Sequence, residues 1–469
     1  MIEIFVFSFS TGTMGVGSNE YNRLIQDDYQ QLSMVFYTPG RTTSYPTDSI
    51  ASGIRFHFLG GAQEVGNVAC VIEDNSKTRI LIDYGLSPGD PPSYPSEAPS
   101  IDAAIITHSH LDHIGMVPWI TASHNVPLYA THLTAALAEM MWRDTYKISK
   151  IEGYPLPWDR RDIEDSISAW ETFSFNEEQK IGEWKWSLLP AGHVPGAAMI
   201  KIDTQSKRIL WSGDIDNRNT PNVLGATPIE TDILVMEGTY GGREHPDRNE
   251  EEIRFVNKVK EVVSRGGLAI VPAFASGRGQ DILRILHQNA PHLNVHYDGM
   301  GKRVTRHWME HPEFVRDAKE WDKIWSWVRK VGSKSDRKKA LSADVIVTTS
   351  GMLKGGPVLW YLNRVRDDPK SAVLITGYQA EDTGGHMLLE TGKIPIYGDI
   401  VQIDCEVDRF QLSNHAAHSA LVDFAKQTKA QDVVLFHLPT EAIEPLKEAL
   451  ESNGQRVHIP ENGQSFIII

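Results

Sequence analysis

Short runs of hydrophobic residues, many of them β-branched, recur along the chain from Ile54 onward and are separated by turns rich in glycine and asparagine. Runs of this length and composition are typical of β-strands joined by hairpins. Apolar residues at helical spacing in Leu133–Trp142 predict a helix there. Residues 1–53 show no sustained hydrophobic period, which predicts a weakly ordered N-terminal extension.

Between about residues 244 and 413, predicted strands alternate with predicted helices. The helices are Val256–Val263 and Asp281–His287, and the strands are Leu268–Pro272, Asp344–Thr348 and Ala372–Thr376. This alternation is typical of a parallel sheet covered by helices. The sequence therefore predicts an α/β protein.

The composition excludes several classes of protein. The chain has 469 residues, enough for more than one domain, and its formal net charge of −15 excludes a globally basic nucleic-acid coat protein. Only two cysteines are present, so no disulfide framework is expected and a reducing cytoplasm is the natural compartment. No apolar run approaches the roughly 18 residues of a membrane span, so we expect no membrane contact.

The most informative segment follows an apolar strand and reads His108-Ser-His110-Leu-Asp112-His113. Alternate residues of an extended chain face the same way, so His108 and His110 can share one metal ion. As the chain turns, Asp112 and His113 can reach a second ion. Imidazoles combined with a carboxylate suit zinc. A lone histidine is usually a core or surface residue, but four ligand-type residues at this spacing predict a metal site.

Three further ligand-type residues each stand where an apolar strand stops, namely Asp83, His193 and Asp214. Each alone fits an ordinary turn. Together with the histidine segment, they match in order the four motifs of the metallo-β-lactamase fold.

The sequence that follows resembles the β-CASP nuclease branch of that fold. This branch contains the nuclease subunit of the pre-mRNA cleavage and polyadenylation factor, its archaeal relatives and RNase J. Glu237 looks like motif A, His415 like motif B and His437 like motif C. The resemblance extends from about residue 54 to the end of the chain.

The resemblance implies a particular architecture. We expect an αββα metallo-β-lactamase sandwich with an inserted β-CASP α/β domain. The sandwich would comprise residues 54–243 and, after the insertion, residues 414–469. Residues 244–413 would form the inserted domain.

The resemblance also implies two zinc ions and a set of ligands. His108, His110 and His193 would hold one ion, and Asp112, His113 and His437 would hold the other. Asp214 would bridge the two ions. Asp83 would orient a ligand histidine by accepting its ring N–H.

The implied activity is that of a zinc-dependent phosphodiesterase that cleaves nucleic acid through a hydroxide bridging the metals. The expected catalytic residues are Asp112, Asp83, His415 as general acid and Glu237, which would hold His415. A ribonuclease of RNA processing or decay is the preferred interpretation. Single-stranded DNA is chemically possible as a substrate. A homo-oligomer or an RNA-processing complex is compatible with the family, and endonuclease and 5′-exonuclease modes would use the same ligands.

Two positions beside the expected proton donor depart from the family pattern. The family usually has Ser-Ala-His-Ala-Asp at motif B, whereas this chain has Asn414 in place of the first alanine and Ala417 in place of the aspartate. Neither change removes a metal ligand. They alter the surroundings of His415.

Two alternative functions remain open. A hydrolase of a small ester or thioester could use the same fold, but it has no need of a 170-residue insertion. A catalytically silent RNA-binding subunit of a processing complex would be expected to have lost ligands. This chain keeps the whole set.

Four further residues are candidates for substrate contacts. Ser276 and Arg278 lie in a turn that opens a helix after a strand, a position that favours phosphate, although a plain βα connection explains the turn equally well. Ser350 lies in a similar glycine-rich turn and is a weaker candidate. His245 fits a structural hydrogen bond as well as it fits a phosphate contact.

Residues 300–340 form a basic segment, with 12 Lys or Arg against 6 acidic residues and four interleaved tryptophans. Such a segment could bind nucleic acid through phosphate contacts and base stacking. The alternative is a solvated amphipathic helix whose tryptophans belong to the core.

Overall fold

The computed structural model describes residues 45–46, 48–87 and 92–469. The extension predicted over residues 1–53 lies almost entirely outside these residues. In the described part of the chain, three large sheets and one two-stranded hairpin are connected by helices.

The structure has the following elements. The strands are β1 (Ile54–Gly60), β2 (Ala69–Asp74), β3 (Arg79–Ile82), β4 (Ala103–Ile105), β5 (Leu128–Thr131), β6 (Trp170–Phe173), β7 (Gln179–Ile181), β8 (Trp184–Pro190), β9 (Ala198–Asp203), β10 (Arg208–Trp211), β11 (Ile233–Glu237), β12 (Ala269–Pro272), β13 (Val295–Asp298), β14 (Arg329–Lys330), β15 (Val345–Thr348), β16 (Ala372–Ile375), β17 (Lys393–Ile396), β18 (Asp399–Gln402), β19 (Glu406–Arg409), β20 (Asp432–Phe436), β21 (Arg456–His458) and β22 (Ser465–Ile468). The helices are α1 (Leu111–Ile114), α2 (Val117–His124), α3 (His132–Glu152), α4 (Arg160–Ser168), α5 (Arg248–Ser264), α6 (Arg278–Asn289), α7 (Gly301–Glu310), α8 (Glu320–Trp327), α9 (Lys334–Ala340), α10 (Pro357–Val365), α11 (Gly384–Thr391), α12 (His418–Thr428) and α13 (Thr440–Ser452), with a 3₁₀ turn at Pro312–Phe314.

The first two sheets form a sandwich. Their strand orders are β22-β1-β2-β3-β4-β5-β6 and β21-β20-β11-β10-β9-β8-β7. Apolar residues of both sheets share one buried core, in which the Phe58 and Trp211 rings stack 6.2 Å apart. Strands β1, β2 and β11 are buried throughout. Apolar residues form a continuous run in β2 and β11 up to their last residues, whereas in β1 the buried Arg55 and His57 alternate with apolar residues.

Helices cover the outer face of each sandwich sheet. Trp142 of α3 and Ile163 of α4 pack on the first sheet, while Leu421 of α12 and Leu446 of α13 pack on the second. The four layers form the αββα sandwich that the family resemblance implies.

The third sheet is inserted between β11 and β20 of the sandwich. Its order is β14-β13-β15-β12-β16-β19, and all its strand pairs are parallel. Buried clusters occupy both its faces, as expected for a parallel sheet covered by helices. One cluster includes Leu133 and Leu137 of α3, which join the inserted domain to the sandwich. The boundaries at residues 243 and 413 stay predictions.

The basic segment 300–340 is not a single amphipathic helix. It forms α7, α8, α9 and the short edge strand β14. Trp308 and Trp321 are each only 1% exposed and meet edge to face in the core, so they cannot stack on a base. For these two tryptophans the core interpretation is right.

The sandwich directs several strand ends to one edge. Strands β3 and β4 are parallel, and so are β10, β11 and β20. Strand β8 has the direction of β10, because both are antiparallel to β9. The ligand-type residues follow these carboxyl ends. No helix in the described part of the chain is both long and apolar enough to cross a bilayer.

Candidate metal centre

The histidine segment is held in place by Asp83, which follows β3 in a left-handed conformation with φ of 54°. The backbone N–H and the hydroxyl of Thr107 both donate to the Asp83 carboxylate, each at 2.7 Å. The single turn of α1 then presents Asp112 and His113. This local anchoring explains how so short a segment supplies ligand-type residues to two separate clusters.

Four ligand-type side chains form a first cluster. Its members are His108, His110, His193 and Asp214, with one ligand atom of each lying within 4.8 Å of the others. His110 Nδ1 lies 3.1 Å from both His108 Nε2 and His193 Nε2. Asp214 Oδ2 lies 3.5 Å from His108 Nε2 and 3.7 Å from His193 Nε2.

The tautomers of these rings direct lone pairs into the cluster. His193 Nδ1 donates to the carbonyl of Asn414 at 2.9 Å, and His108 Nδ1 donates to the Thr107 hydroxyl at 3.1 Å. Both Nε2 atoms are therefore acceptors, and both face Asp214 Oδ2, which is also an acceptor. Ligands about 2.1 Å from a tetrahedral zinc ion lie about 3.4 Å apart, so these spacings fit a cation.

A second cluster consists of Asp112, His113 and His437. His113 Nδ1 donates to Asp83 Oδ2 at 2.7 Å, which leaves Nε2 as an acceptor directed away from Asp83. His437 follows β20 with φ of 50°, and its Nε2 lies 3.3 Å from Asp112 Oδ2.

Asp214 joins the two clusters. Oδ2 faces the first cluster, while Oδ1 lies 3.4 Å from His113 Nε2 and 3.4 Å from His437 Nδ1. Asp214 Oδ1 and His113 Nε2 are buried without a hydrogen-bond partner among the described residues. A carboxylate oxygen and a ring nitrogen that face each other in a buried site need a positive charge between them, either a proton or a metal cation. The residues therefore fit a pair of metal ions.

The protonation states also fit a metal site. Burial lowers the pKa of His108 and His193 well below the usual range. Burial alone would raise the pKa of Asp214, but His113 and His437 outweigh it and hold that pKa well below its usual range. Neutral imidazoles and an ionised carboxylate are the forms that bind metal ions.

His113 marks where positive charge is needed. Burial opposes the imidazolium, yet Asp214, Asp83 and Asp112 together raise the pKa of His113 well above its usual range. Three carboxylates directed at one ring attract a cation, and a divalent ion would supply that charge in place of the proton.

His415 lies beside the first cluster, with its ring 4.5 Å from that of His193. Its Nδ1 donates to Glu237 Oε1 at 2.9 Å, and Glu237 is fully buried. Burial disfavours the imidazolium, but the Glu237 carboxylate raises the pKa of His415 to about 10. The side chain is 19% exposed, so this protonated ring can reach a substrate.

The four candidates for substrate contacts differ in whether their polar atoms have partners within the protein. The Ser276 hydroxyl and Arg278 Nε are buried without hydrogen-bond partners among the described residues, and burial lowers the pKa of Arg278 to about 10. His245 donates to the carbonyl of His415 at 3.0 Å, a contact that favours the structural interpretation. Ser350 donates within its own loop to Gly355.

Sequence reasoning missed the residues that connect the inserted domain to the centre. Arg248 donates to the carbonyl of Ser413 at 3.0 Å and to Asn414 Oδ1 at 3.2 Å. Asn414 Nδ2 donates to the buried Asp281 at 2.9 Å. The departure at Asn414 was the only sequence signal, because nothing local distinguishes Arg248 from other helical arginines.

Three family models match the chain in succession. The Metallo-beta-lactamase superfamily matches residues 64–249, the Beta-Casp domain matches residues 280–388, and the Zn-dependent metallo-hydrolase RNA specificity domain matches residues 400–460. A solved protein of unknown function from Enterococcus faecalis V583 has a TM-score of 0.57 at 15% identity, covers 89% of this chain and is itself covered completely. That likeness shows the fold.

Similar proteins of described activity cover most of the chain. Probable RNase MJ4 of Methanocaldococcus jannaschii is 34% identical over 81% of this chain and 92% of its own length. RNase aCSPSF2 of Saccharolobus solfataricus is 34% identical over 87% and 84%. Cleavage and polyadenylation specificity factor 73 of Drosophila melanogaster is 30% identical over 84% and 61%. The chain belongs to the β-CASP family of the metallo-β-lactamase superfamily.

Proposed function

We propose that this chain is a metal-dependent ribonuclease of RNA processing, which hydrolyses phosphodiester bonds at a centre of two zinc ions. The single observation that carries the proposal is the position of Asp214. Its two carboxylate oxygens face two separate groups of ligand-type residues. A centre built around one shared carboxylate is suited to phosphoryl chemistry.

The residues that would hold the ions divide into two groups around Asp214. His108, His110 and His193 would hold one zinc, and Asp112, His113 and His437 would hold the other. When bound, the two ions would neutralise phosphate oxygens and lower the pKa of a water molecule. The Asp112 side chain, which is 25% exposed, lies at the solvent side of the second group.

The remaining polar residues would act on the substrate or on the ligands. His415 would donate a proton to the leaving oxygen, and Glu237 would keep His415 protonated and oriented. Asp83 would fix the tautomer of His113. Arg278 and Ser276 would contact a substrate phosphate, since each has a buried polar atom without a partner among the described residues.

RNA is the proposed substrate, supported by the matched RNA specificity domain and by the relatives named as RNases. Single-stranded DNA as a second substrate, assembly as a homo-oligomer or in an RNA-processing complex, and a cytoplasmic location are further parts of the proposal that rest on chemistry, family and composition alone. A small-ester hydrolase remains the alternative from another class. The matched RNA specificity domain and the relatives named as RNases argue against it.

The test is cleavage of an end-labelled single-stranded RNA by the zinc-loaded chain. We expect cleavage that EDTA abolishes and zinc restores, with loss of activity in Asp112→Ala and His415→Ala. A DNA of the same sequence measures the choice of sugar. If the unaltered chain binds RNA but cleaves no more than Asp112→Ala does, it is a binding subunit and the proposal fails.

A further inference from the structure

A concentrated basic surface lies on the inserted domain. Residues 328–342 contain six Lys or Arg and one acidic residue, a charge of +5 in a chain whose net charge is −15. The rest of the chain therefore carries −15 − 5 = −20. We call Arg329, Lys330, Lys334, Lys338 and Lys339 the basic edge. All five are exposed.

The basic edge borders an open groove of about 390 Å³. The groove is lined by Asn294, His296, Arg329, Lys330, Asp336, Lys339 and Ser342. None of these residues is apolar. An interface with a folded protein usually has an apolar core, whereas a groove for a nucleic-acid backbone is polar and cationic.

The groove lies away from the candidate metal centre. Asn294 precedes β13 and Ser342 precedes β15, so the groove lies at the amino ends of the parallel strands and along the edge strand β14. By contrast, Ser276 and Ser350 follow the carboxyl ends of β12 and β15. The two surfaces therefore lie at opposite ends of the third sheet.

The positive charge of the basic edge is largely uncompensated. Arg329, Lys334 and Lys338 form no ion pair within 4.0 Å with any described residue. Lys330 donates to the carbonyl of Trp325 and lies 5.0 Å from the centre of its ring. The lining carboxylate, Asp336, is 3.8 Å from Lys339.

Arg337 is not part of the basic edge, because its charge is paired within the domain. It points inward to the buried Asp298 at 2.7 Å and so stabilises the domain. The neighbouring basic residues have no comparable partner. Their charges are available to a ligand.

We infer that the basic edge binds the phosphate backbone of RNA outside the catalytic cleft and holds a long substrate while another part of it lies at the metal centre. The inference rests on the proposed function for the identity of the ligand. Each cation that binds a phosphate releases a counterion from the RNA. The contribution of the basic edge to the binding affinity is therefore independent of base sequence and decreases as the salt concentration rises. A chain that otherwise repels RNA gains the most from one such surface.

The test compares a triple variant with a matched control. Arg329→Ala, Lys338→Ala and Lys339→Ala together remove three charges from the basic edge. Lys77→Ala, Lys180→Ala and Lys426→Ala remove the same charge from exposed lysines of the sandwich. Circular dichroism and thermal melting check that both variants fold like the unaltered chain.

Two RNAs distinguish this surface from the cleft. One single-strand binding fold covers roughly 4–16 nucleotides. The short RNA has about 6 nucleotides and fits within one such site, whereas the long RNA has about 30 and extends beyond it. We expect the basic-edge variant to raise KM for the long RNA about tenfold, with kcat unchanged and the short RNA unaffected. The control variant should change neither RNA.

Direct binding gives a readout that does not require cleavage. Fluorescence anisotropy measures the affinity for the long RNA at several salt concentrations. Each phosphate contact of a single strand contributes about 0.7 to the slope of log affinity against log salt, so the loss of three contacts should make this slope shallower by about 2 in the basic-edge variant. If this variant binds the long RNA as tightly as the control at every salt concentration, the inference is wrong and an acidic protein becomes the better ligand. Absence of cleavage by the unaltered chain would overturn only the proposed function.

Discussion

At the scale of single residues, the candidate metal centre depends on buried groups whose hydrogen-bond partners fix their charge. Asp83 illustrates this, because it accepts from Thr107 twice and from His113 once while fully buried. Each bond constrains one atom of the histidine segment. A change to such a residue should therefore alter metal affinity before it alters the fold.

Asp83→Asn tests the orienting role of this carboxylate. The variant keeps the shape of the side chain but removes the charge that favours the His113 tautomer, so we expect metal affinity or activity to fall by about 10- to 100-fold. Competition with a zinc-binding dye measures the affinity. Unchanged affinity in a folded Asp83→Asn chain would contradict the role given to Asp83.

Glu237→Gln tests the control of the proton donor. His415 acts in its protonated form, so activity should be lost as pH rises through its pKa, which Glu237 raises. Without the carboxylate that pKa falls, and we expect the alkaline limb of kcat against pH to move down by about 1 pH unit or more. His415→Ala should lower kcat by about 10²–10⁴ and abolish the limb. A limb that stays in place in Glu237→Gln would show that Glu237 does not set this pKa.

At the scale of elements, the inserted domain and the sandwich meet through Asn414. Its carbonyl accepts from His193, and its side chain contacts Arg248 of α5 and Asp281 of α6. The family usually has alanine here, so this chain carries an additional polar connection. The backbone contact would survive a change of side chain.

Asn414→Ala separates these two roles. The variant leaves Asp281 buried with one bond fewer, so the free energy of unfolding should fall by about 1–3 kcal/mol. Zinc content should not change, because the bond to His193 comes from the backbone. Urea unfolding and metal analysis measure the two quantities. A large loss of zinc with unchanged stability would reverse this assignment.

Sequence patterns predict the presence of some helices correctly but do not predict where each helix ends. The apolar spacing predicts only Leu133–Trp142, because the second half of α3 is polar on most sides and carries no such spacing. The helix continues to Glu152 and ends at Gly153, whose φ is 82°. The elements of residues 300–340 are harder to predict from the sequence than those of α3. The charges and tryptophans of this segment suggest one helix, whereas packing breaks it into three helices and a strand.

At the scale of the whole molecule, the sandwich and the metal cluster could be predicted from local sequence patterns. Asp83, His193, Asp214 and His437 each follow an apolar strand, and the histidine segment follows β4. The contacts of Arg248 with Ser413 and Asn414 could not be predicted in this way, because they join residues 165 and 166 positions apart and neither has a local pattern. The same holds for the basic edge. Its charge is visible in the sequence, but its position at the amino ends of β13 and β15 requires the fold.

The most direct test of the account is an anomalous difference map of a crystal of the zinc-loaded chain, measured at the zinc absorption edge. We expect two peaks about 3.5–4 Å apart on either side of Asp214. One should lie among His108, His110 and His193, and the other among Asp112, His113 and His437. A map with no peak at Asp214, or with a single peak on only one side of it, would contradict the dinuclear centre.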